Sequence, residues 1–258
     1  MIPQGEAEGQ AAQYGLPWDI VVRLVGAALV RRQRSFAHDA LRAVARPPAP
    51  MEGRGAQHIP QQGPCLVACN HHTRPGFDAW WLVLAVSAVI ARQRDAGADP
   101  EIHWVMTGAW RFEGSPWRAR VLTPATRWAF GRVARVYGFV TMPPMPPIPE
   151  EMEARAVAVR QTLRLARQVA VEGGMIGLAP EGRDTPEKLG EPPDGVGIFI
   201  AHLTRLGLPV LPVGVGEVAG CLRISCGPVF VPEIPARRAE RDRAVAEQVM
   251  AAIGEQVP

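Results

Sequence analysis

From Gly63 onward, short runs of β-branched, aromatic and other apolar residues alternate with longer stretches of helical periodicity, and this alternation restricts the fold more than any other feature. It is the pattern of a mainly parallel sheet covered by helices, because parallel strands need a crossover and a helix is the usual one. The predicted strands are Pro64 to Cys69, Ile102 to Thr107, Arg135 to Thr141, Met175 to Ala179 and Pro209 to Val215, with Leu222 to Val231 extending the sheet or closing an edge. Between and after them, helices are predicted over Phe77 to Arg92, Ser115 to Val133, Glu151 to Val171, Val196 to Leu206 and Arg237 to Ile253. The prolines from Pro143 to Pro149 forbid regular structure and make that stretch a loop. The expected class is α/β: a mainly parallel central sheet flanked by helices, with an N-terminal helical segment.

Residues 1 to 50 read as that segment, with helical runs over Ile20 to Val30 and on to Ala45, closed by Arg46-Pro47-Pro48-Ala49-Pro50; residues 51 to 258 read as the α/β domain. Two readings fit the first helical run. Trp18 and the arginines at 23, 31, 32 and 34 suit a helix lying among lipid headgroups, and they equally suit an amphipathic helix packed on its own domain. The longest apolar stretch, Ala79 to Ala91, is shorter than the ~20 residues needed to span a bilayer, so no crossing is expected. With a polar start and no apolar core directly after it, the N-terminus shows no export signal. A net charge of +3 excludes the dense basic field of a nucleic-acid binder. Cys65, Cys69, Cys221 and Cys226 lie within strands and lack the turn-bearing spacing of a zinc knuckle, so free thiols and no metal are expected.

In this class of fold, ligands gather beyond the carboxyl ends of the strands, so the loops that follow strands are where chemistry is sought. One such loop reads Asn70-His71-His72-Thr73-Arg74-Pro75-Gly76-Phe77-Asp78. A histidine at a strand end with a carboxylate before the next helix fits a general base and its orienter; the alternative is that the imidazoles bond the loop backbone and Asp78 caps the helix. A second loop reads Pro180-Glu181-Gly182-Arg183, in which glycine allows tight geometry and arginine grips phosphate bidentately, although such a turn is also often simply solvated. His38, His58, His103 and His202 read as ordinary histidines, and Trp80 and Trp81 as core residues in preference to an acyl-chain wall.

Taken in order, Asn70-His71, then Pro180-Glu181-Gly182 with Arg183, then Val210-Leu211-Pro212-Val213 resemble the glycerolipid acyltransferase family, whose enzymes include those acylating lysophosphatidic acid. That family usually shows N-H-x4-D, F-P-E-G-T-R and a V-P-V strand, and the likeness runs from about Gly63 to Val231. The resemblance implies transfer of a fatty acyl group from acyl-CoA or acyl carrier protein to a hydroxyl of a lysophospholipid or related lipid, with no cofactor beyond the donor. His71 would be the base, with His72 the competing ring and Asp78 the assisting carboxylate. Pro180, Glu181, Gly182 and Arg183 would position the acceptor's polar head, with Arg74 a further phosphate ligand. It also implies a bacterial protein peripheral to the cytoplasmic face of the inner membrane, with the membrane surface and the two substrates as partners and no nucleic acid.

The spacing departs from the family's. Six residues separate His71 from Asp78, so Arg74-Pro75-Gly76 must bulge for the carboxylate to reach either ring, and nothing stands between Gly182 and Arg183. Two other functions compete: a non-catalytic lipid-binding relative that has lost the dyad, and a thioester or ester hydrolase. The hydrolase is disfavoured by the lack of a Gly-x-Ser-x-Gly nucleophile turn.

Overall fold

The structure, a computed structural model, describes residues 12–15, 17–112, 114–144, 149, 152–182 and 189–258. Among them run α1 (Trp18–Leu29), α2 (Phe36–Ala43), β1 (Met51–Arg54), β2 (Cys65–Cys69), α3 (Ala79–Ala91), β3 (Ile102–Thr107), α4 (Pro116–Tyr137) and β4 (Val140–Met142). They are followed by α5 (Met152–Val171), β5 (Met175–Leu178), α6 (Val196–Arg205), β6 (Val210–Val218), β7 (Cys221–Cys226) and α7 (Arg238–Gly254). The strands form one sheet in the order β1-β7-β6-β2-β5-β3-β4. Every neighbouring pair is parallel except β6 with β7, which a tight turn joins antiparallel, so the expected α/β class with a mainly parallel sheet is what the chain forms.

Successive strand side chains point to opposite faces, and the buried residues sort accordingly. Cys65, Val67 and Cys69 of β2 pack with Leu211, Val213 and Val215 of β6 beneath α1 to α4. Leu66, Ala68, Ile176 and Val210 pack on the other face with Ile200 of α6 and Val245, Val249 and Ile253 of α7. Apolar on both sides, β2 is the centre of a three-layer sandwich. Ile20 and Ala27 of α1 and Phe36 and Ala40 of α2 join the first core, so the N-terminal helices pack on the sheet domain. The four cysteines are free thiols, and burial pushes Cys65 and Cys226 up to about 12, which keeps them protonated.

At three places the structure differs from the expected elements. The strand predicted over Arg135 to Thr141 is mostly helix: Phe130, Ala134 and Tyr137 fall on one buried stripe of α4, which continues to Gly138, whose left-handed φ of 69° ends it. Only Val140 to Met142 remain for β4. The strand predicted over Leu222 to Val231 stops at Cys226; Phe230 then returns as a single bridge to Val210. The edge strand β1 carries no apolar alternation and joins the sheet through backbone pairing with β7.

No described helix is long and apolar enough to cross a membrane. The β2 and β5 carboxyl ends are adjacent in the sheet, as are those of β2 and β6, so the loops that leave them converge on one edge.

Candidate functional site

The residue that ends β2 sets the start of the site. Asn70 is 7% exposed, and its side-chain amide imitates a strand neighbour: Nδ2 donates to the Val215 carbonyl at 2.9 Å and Oδ1 accepts the Val215 N–H at 2.7 Å. This pairing continues the β2–β6 ladder one residue past the last backbone partner, Cys69 with Val213, and fixes where His71 and His72 leave the sheet.

Glu181 anchors His71 from the other side. It is 1% exposed at the end of β5, and its two carboxylate oxygens accept the backbone N–H of His71 at 2.5 Å and of Gly190 at 2.6 Å. Charge-assisted bonds of this length tie three chain segments together. Gly182, at φ 64°, makes the turn that lets Glu181 point inward, and its N–H returns to the Ala179 carbonyl at 3.1 Å. Glu181 thus clamps the loop, while Pro180 is buried beside it and Gly182 is exposed at the tip. Arg183 lies outside the described residues.

The Arg74-Pro75-Gly76 stretch does bulge, as a closed turn. Arg74 and Phe77 exchange backbone hydrogen bonds at 3.1 and 2.8 Å, proline occupies the first corner, and Gly76 at φ 82° the second, the requirement of a type II turn. The turn does not deliver Asp78 to the histidines. Asp78 emerges exposed as the N-cap residue of α3, its side chain making no cap bond and no hydrogen bond or ion pair among the described residues.

A different carboxylate, Glu217 near the end of β6, faces this loop. Its two oxygens hold the Arg74 guanidinium bidentately, through Nε and through Nη2 at 2.7 Å. Arg74 also donates to the carbonyls of Ala12 at 2.9 Å and Pro75 at 2.8 Å. Four of its five N–H donors are thus committed within the fold, which makes it a staple of the loop. His72 Nε2 lies 3.9 Å from Glu217 Oε2, beyond hydrogen-bond reach but within strong electrostatic influence. Tyr14 packs edge-on against Phe77 at 4.8 Å, and burial together with the Glu217 charge pushes its phenol up to about 12. Trp81 is core, its indole donating to the Gly15 carbonyl at 3.0 Å.

Charge in this cluster has a definite sign with pH. The Arg74 guanidinium holds the Glu217 carboxyl below its ordinary 4.5, and burial holds His72 below 6.5, so the ring is neutral at pH 7. Both folded-state values lie below the unfolded ones, so both contributions are present above the ordinary values and lost as pH falls through the lowered ones. Thermal stability is expected to decline from pH 7 through the acid range, with His72→Gln flattening the upper part of the fall and Glu217→Gln the lower. Melting curves between pH 3 and 8 check this; unchanged slopes in both variants contradict it.

No family model matches the chain, and no curated protein matches it in sequence. In fold it is similar to the 1-acyl-sn-glycerophosphate (LPA) acyltransferase PlsC from Thermotoga maritima, at 13% sequence identity and a TM-score of 0.48, over 93% of this chain and 84% of that one.

Sequence reasoning brought Asn70, His71, His72 and Glu181 to one edge, and the structure joins them there. It missed Glu217, which lies 143 positions from Arg74. The only signal was a carboxylate placed just after Val213-Gly214-Val215-Gly216, at the end of an otherwise apolar strand.

Proposed function

We propose that this chain is an O-acyltransferase that moves a fatty acyl group from acyl-CoA or acyl carrier protein to a hydroxyl of a lysophospholipid or related lipid, at the cytoplasmic face of a bacterial membrane. The observation that carries the reading is the hydrogen bond from the His71 N–H to the buried Glu181 carboxylate, which unites the Asn-His loop and the Pro-Glu-Gly turn at the carboxyl edge of the central strands. The bond brings motifs 110 residues apart in the chain together at the carboxyl edge of the sheet, where ligands gather in folds of this class.

In the proposed reaction His71 accepts the proton of the acceptor hydroxyl as its oxygen attacks the thioester carbonyl carbon. The tetrahedral oxyanion collapses, the C–S bond breaks, and the leaving thiolate takes the proton back from the imidazolium. Backbone N–H groups of the two loops, other than the His71 N–H that Glu181 holds, are the candidate donors to the oxyanion. A rigid Glu181 clamp serves this chemistry, because a small displacement of the base costs far more rate than binding.

The 3.9 Å approach of His72 to Glu217 favours a second reading in which His72 is the base and Glu217 its carboxylate. The two readings separate by pH profile. With His72 as base, the acid limb of kcat/KM lies below 6.5, and Glu217→Gln moves it lower still, because the Glu217 charge raises the ring's affinity for protons. With His71 as base, His72→Gln retains activity.

Lipid analysis of a deletion strain tests the function itself. The expected result is loss of one acylated lipid and accumulation of its precursor with a free hydroxyl, which would also name the acceptor. An unchanged lipid profile in a strain that normally expresses the protein contradicts the proposal.

A further inference from the structure

Four of the chain's seven tryptophans stand more than half exposed: Trp18 at 80%, Trp110 at 53%, Trp117 at 65% and Trp128 at 63%. Large aromatic surface is ordinarily buried, so this many exposed indoles ask for a partner.

Three of them lie on two apolar stripes of matching spacing, headed by Trp18 and by Trp117. On α1, Trp18, Val22, Val25 and Leu29 are all exposed, while Ile20 and Ala27 on the opposite side enter the core. The helix is apolar toward the protein and apolar away from it. On α4, Trp117, Val121, Pro124 and Trp128 recur at the same spacing and are likewise exposed, while Phe130, Ala134 and Tyr137 are buried. The two helices touch, and the Arg132 guanidinium of α4 donates to the Ala28 carbonyl of α1 at 3.0 Å.

Charge selects the occupant. Across its 22 residues α4 carries arginines at 118, 120, 127, 132 and 135 and no acidic residue, whereas the whole chain is only +3. The exposed Arg118, Arg120 and Arg127 flank the tryptophan stripe. Tryptophan beside arginine on one helical face matches the boundary between acyl chains and anionic headgroups, where an indole sits at headgroup depth and a guanidinium binds phosphate.

We propose that α4, together with α1, is a membrane-binding face that seats the protein on a leaflet containing anionic phospholipid, with Trp117, Val121 and Trp128 entering the headgroup region. The lipid-headgroup reading, one of the two open for the first helix, is thereby extended to a helix of the sheet domain. Because α4 follows β3, it begins at the same carboxyl edge of the sheet that carries His71 and Glu181, so seating α4 on lipid turns the candidate site toward the bilayer. This orientation rests on the lipid-acceptor reading, but the binding itself is measured without turnover.

The test is co-sedimentation of the purified full chain with vesicles of phosphatidylcholine alone and of phosphatidylcholine with phosphatidylglycerol, in the absence of any acyl donor. The expected result is binding that requires phosphatidylglycerol. The pair Trp117→Ser and Trp128→Ser should weaken it roughly tenfold or more per ring. Arg118→Gln with Arg120→Gln and Arg127→Gln should weaken it about fivefold per charge. Since every substituted side chain is exposed, melting temperature is expected to hold, and it serves as the folding control. Equal affinity of the tryptophan pair and the unaltered chain overturns the inference, as does failure to bind either vesicle. So does self-association that the tryptophan pair abolishes, which would make a second copy the occupant. Vesicle binding by a protein that transfers no acyl group leaves this face standing and removes the acyltransferase reading.

Discussion

Glu181→Ala is expected to destabilise the protein by about 2–5 kcal/mol and to abolish acyl transfer, because it strips the carboxylate acceptor from two backbone N–H groups, those of His71 and Gly190. At 1% exposure, water has little access to replace the lost carboxylate. For a chain of this size the loss corresponds to a fall in melting temperature of roughly 5–15 °C. Glu181→Gln retains the shape but offers one acceptor oxygen and an NH2 where two were needed, so it should fall between the unaltered protein and the alanine variant in both stability and rate. A stable, active Glu181→Ala would mean that the carboxylate neither holds the loop nor serves the site.

The second large effect lies at the base. His71→Ala is expected to lower kcat by about 10²–10⁴-fold, the usual worth of a positioned proton acceptor. Its melting temperature should shift far less than that of Glu181→Ala, since the backbone N–H that Glu181 holds is unaffected by side-chain truncation. Asp78→Asn provides the contrast. In an N-H-x4-D pattern the aspartate would orient the ring, but here Asp78 is exposed and touches neither imidazole, so its loss should leave the rate within about twofold. Steady-state kinetics of the two variants side by side check both expectations. A severe defect in Asp78→Asn would show that the loop rearranges on substrate binding to bring that carboxylate inward.

Much of this was legible in sequence because the central strands are unambiguous. Cys65 to Cys69 and Met175 to Leu178 are wholly apolar, as strands buried on both faces must be, and each is followed by a polar loop with turn residues. The motif loops therefore fell at the correct edge. The end of α4 was misread because Val136, Tyr137 and Phe139 are strand formers by local preference, whereas burial of Phe130, Ala134 and Tyr137 on one helical stripe decides the matter. Strand β1 left no trace because Met51-Glu52-Gly53-Arg54 sits at a sheet edge, held by backbone pairing with β7 that any sequence can make.

At the site the illegible part is contact between distant segments. The residues Arg74-Pro75-Gly76 announce a turn, yet nothing local tells that Arg74 will reach Glu217 or that Asp78 will face outward. Likewise Glu181 reads as a turn residue until the fold buries it against the His71 N–H. Both carboxylates act across the sheet's carboxyl edge, where sequence distance carries no information.

Acyl transfer needs an acceptor, and release of free thiol from acyl-CoA by the purified protein, with and without a lysophospholipid, measures that need. Release is expected only when the acceptor is present, with the acyl group recovered on the lipid. Release without acceptor would identify a hydrolase, and lipid binding without release would identify a non-catalytic relative; either contradicts acyl transfer by this site.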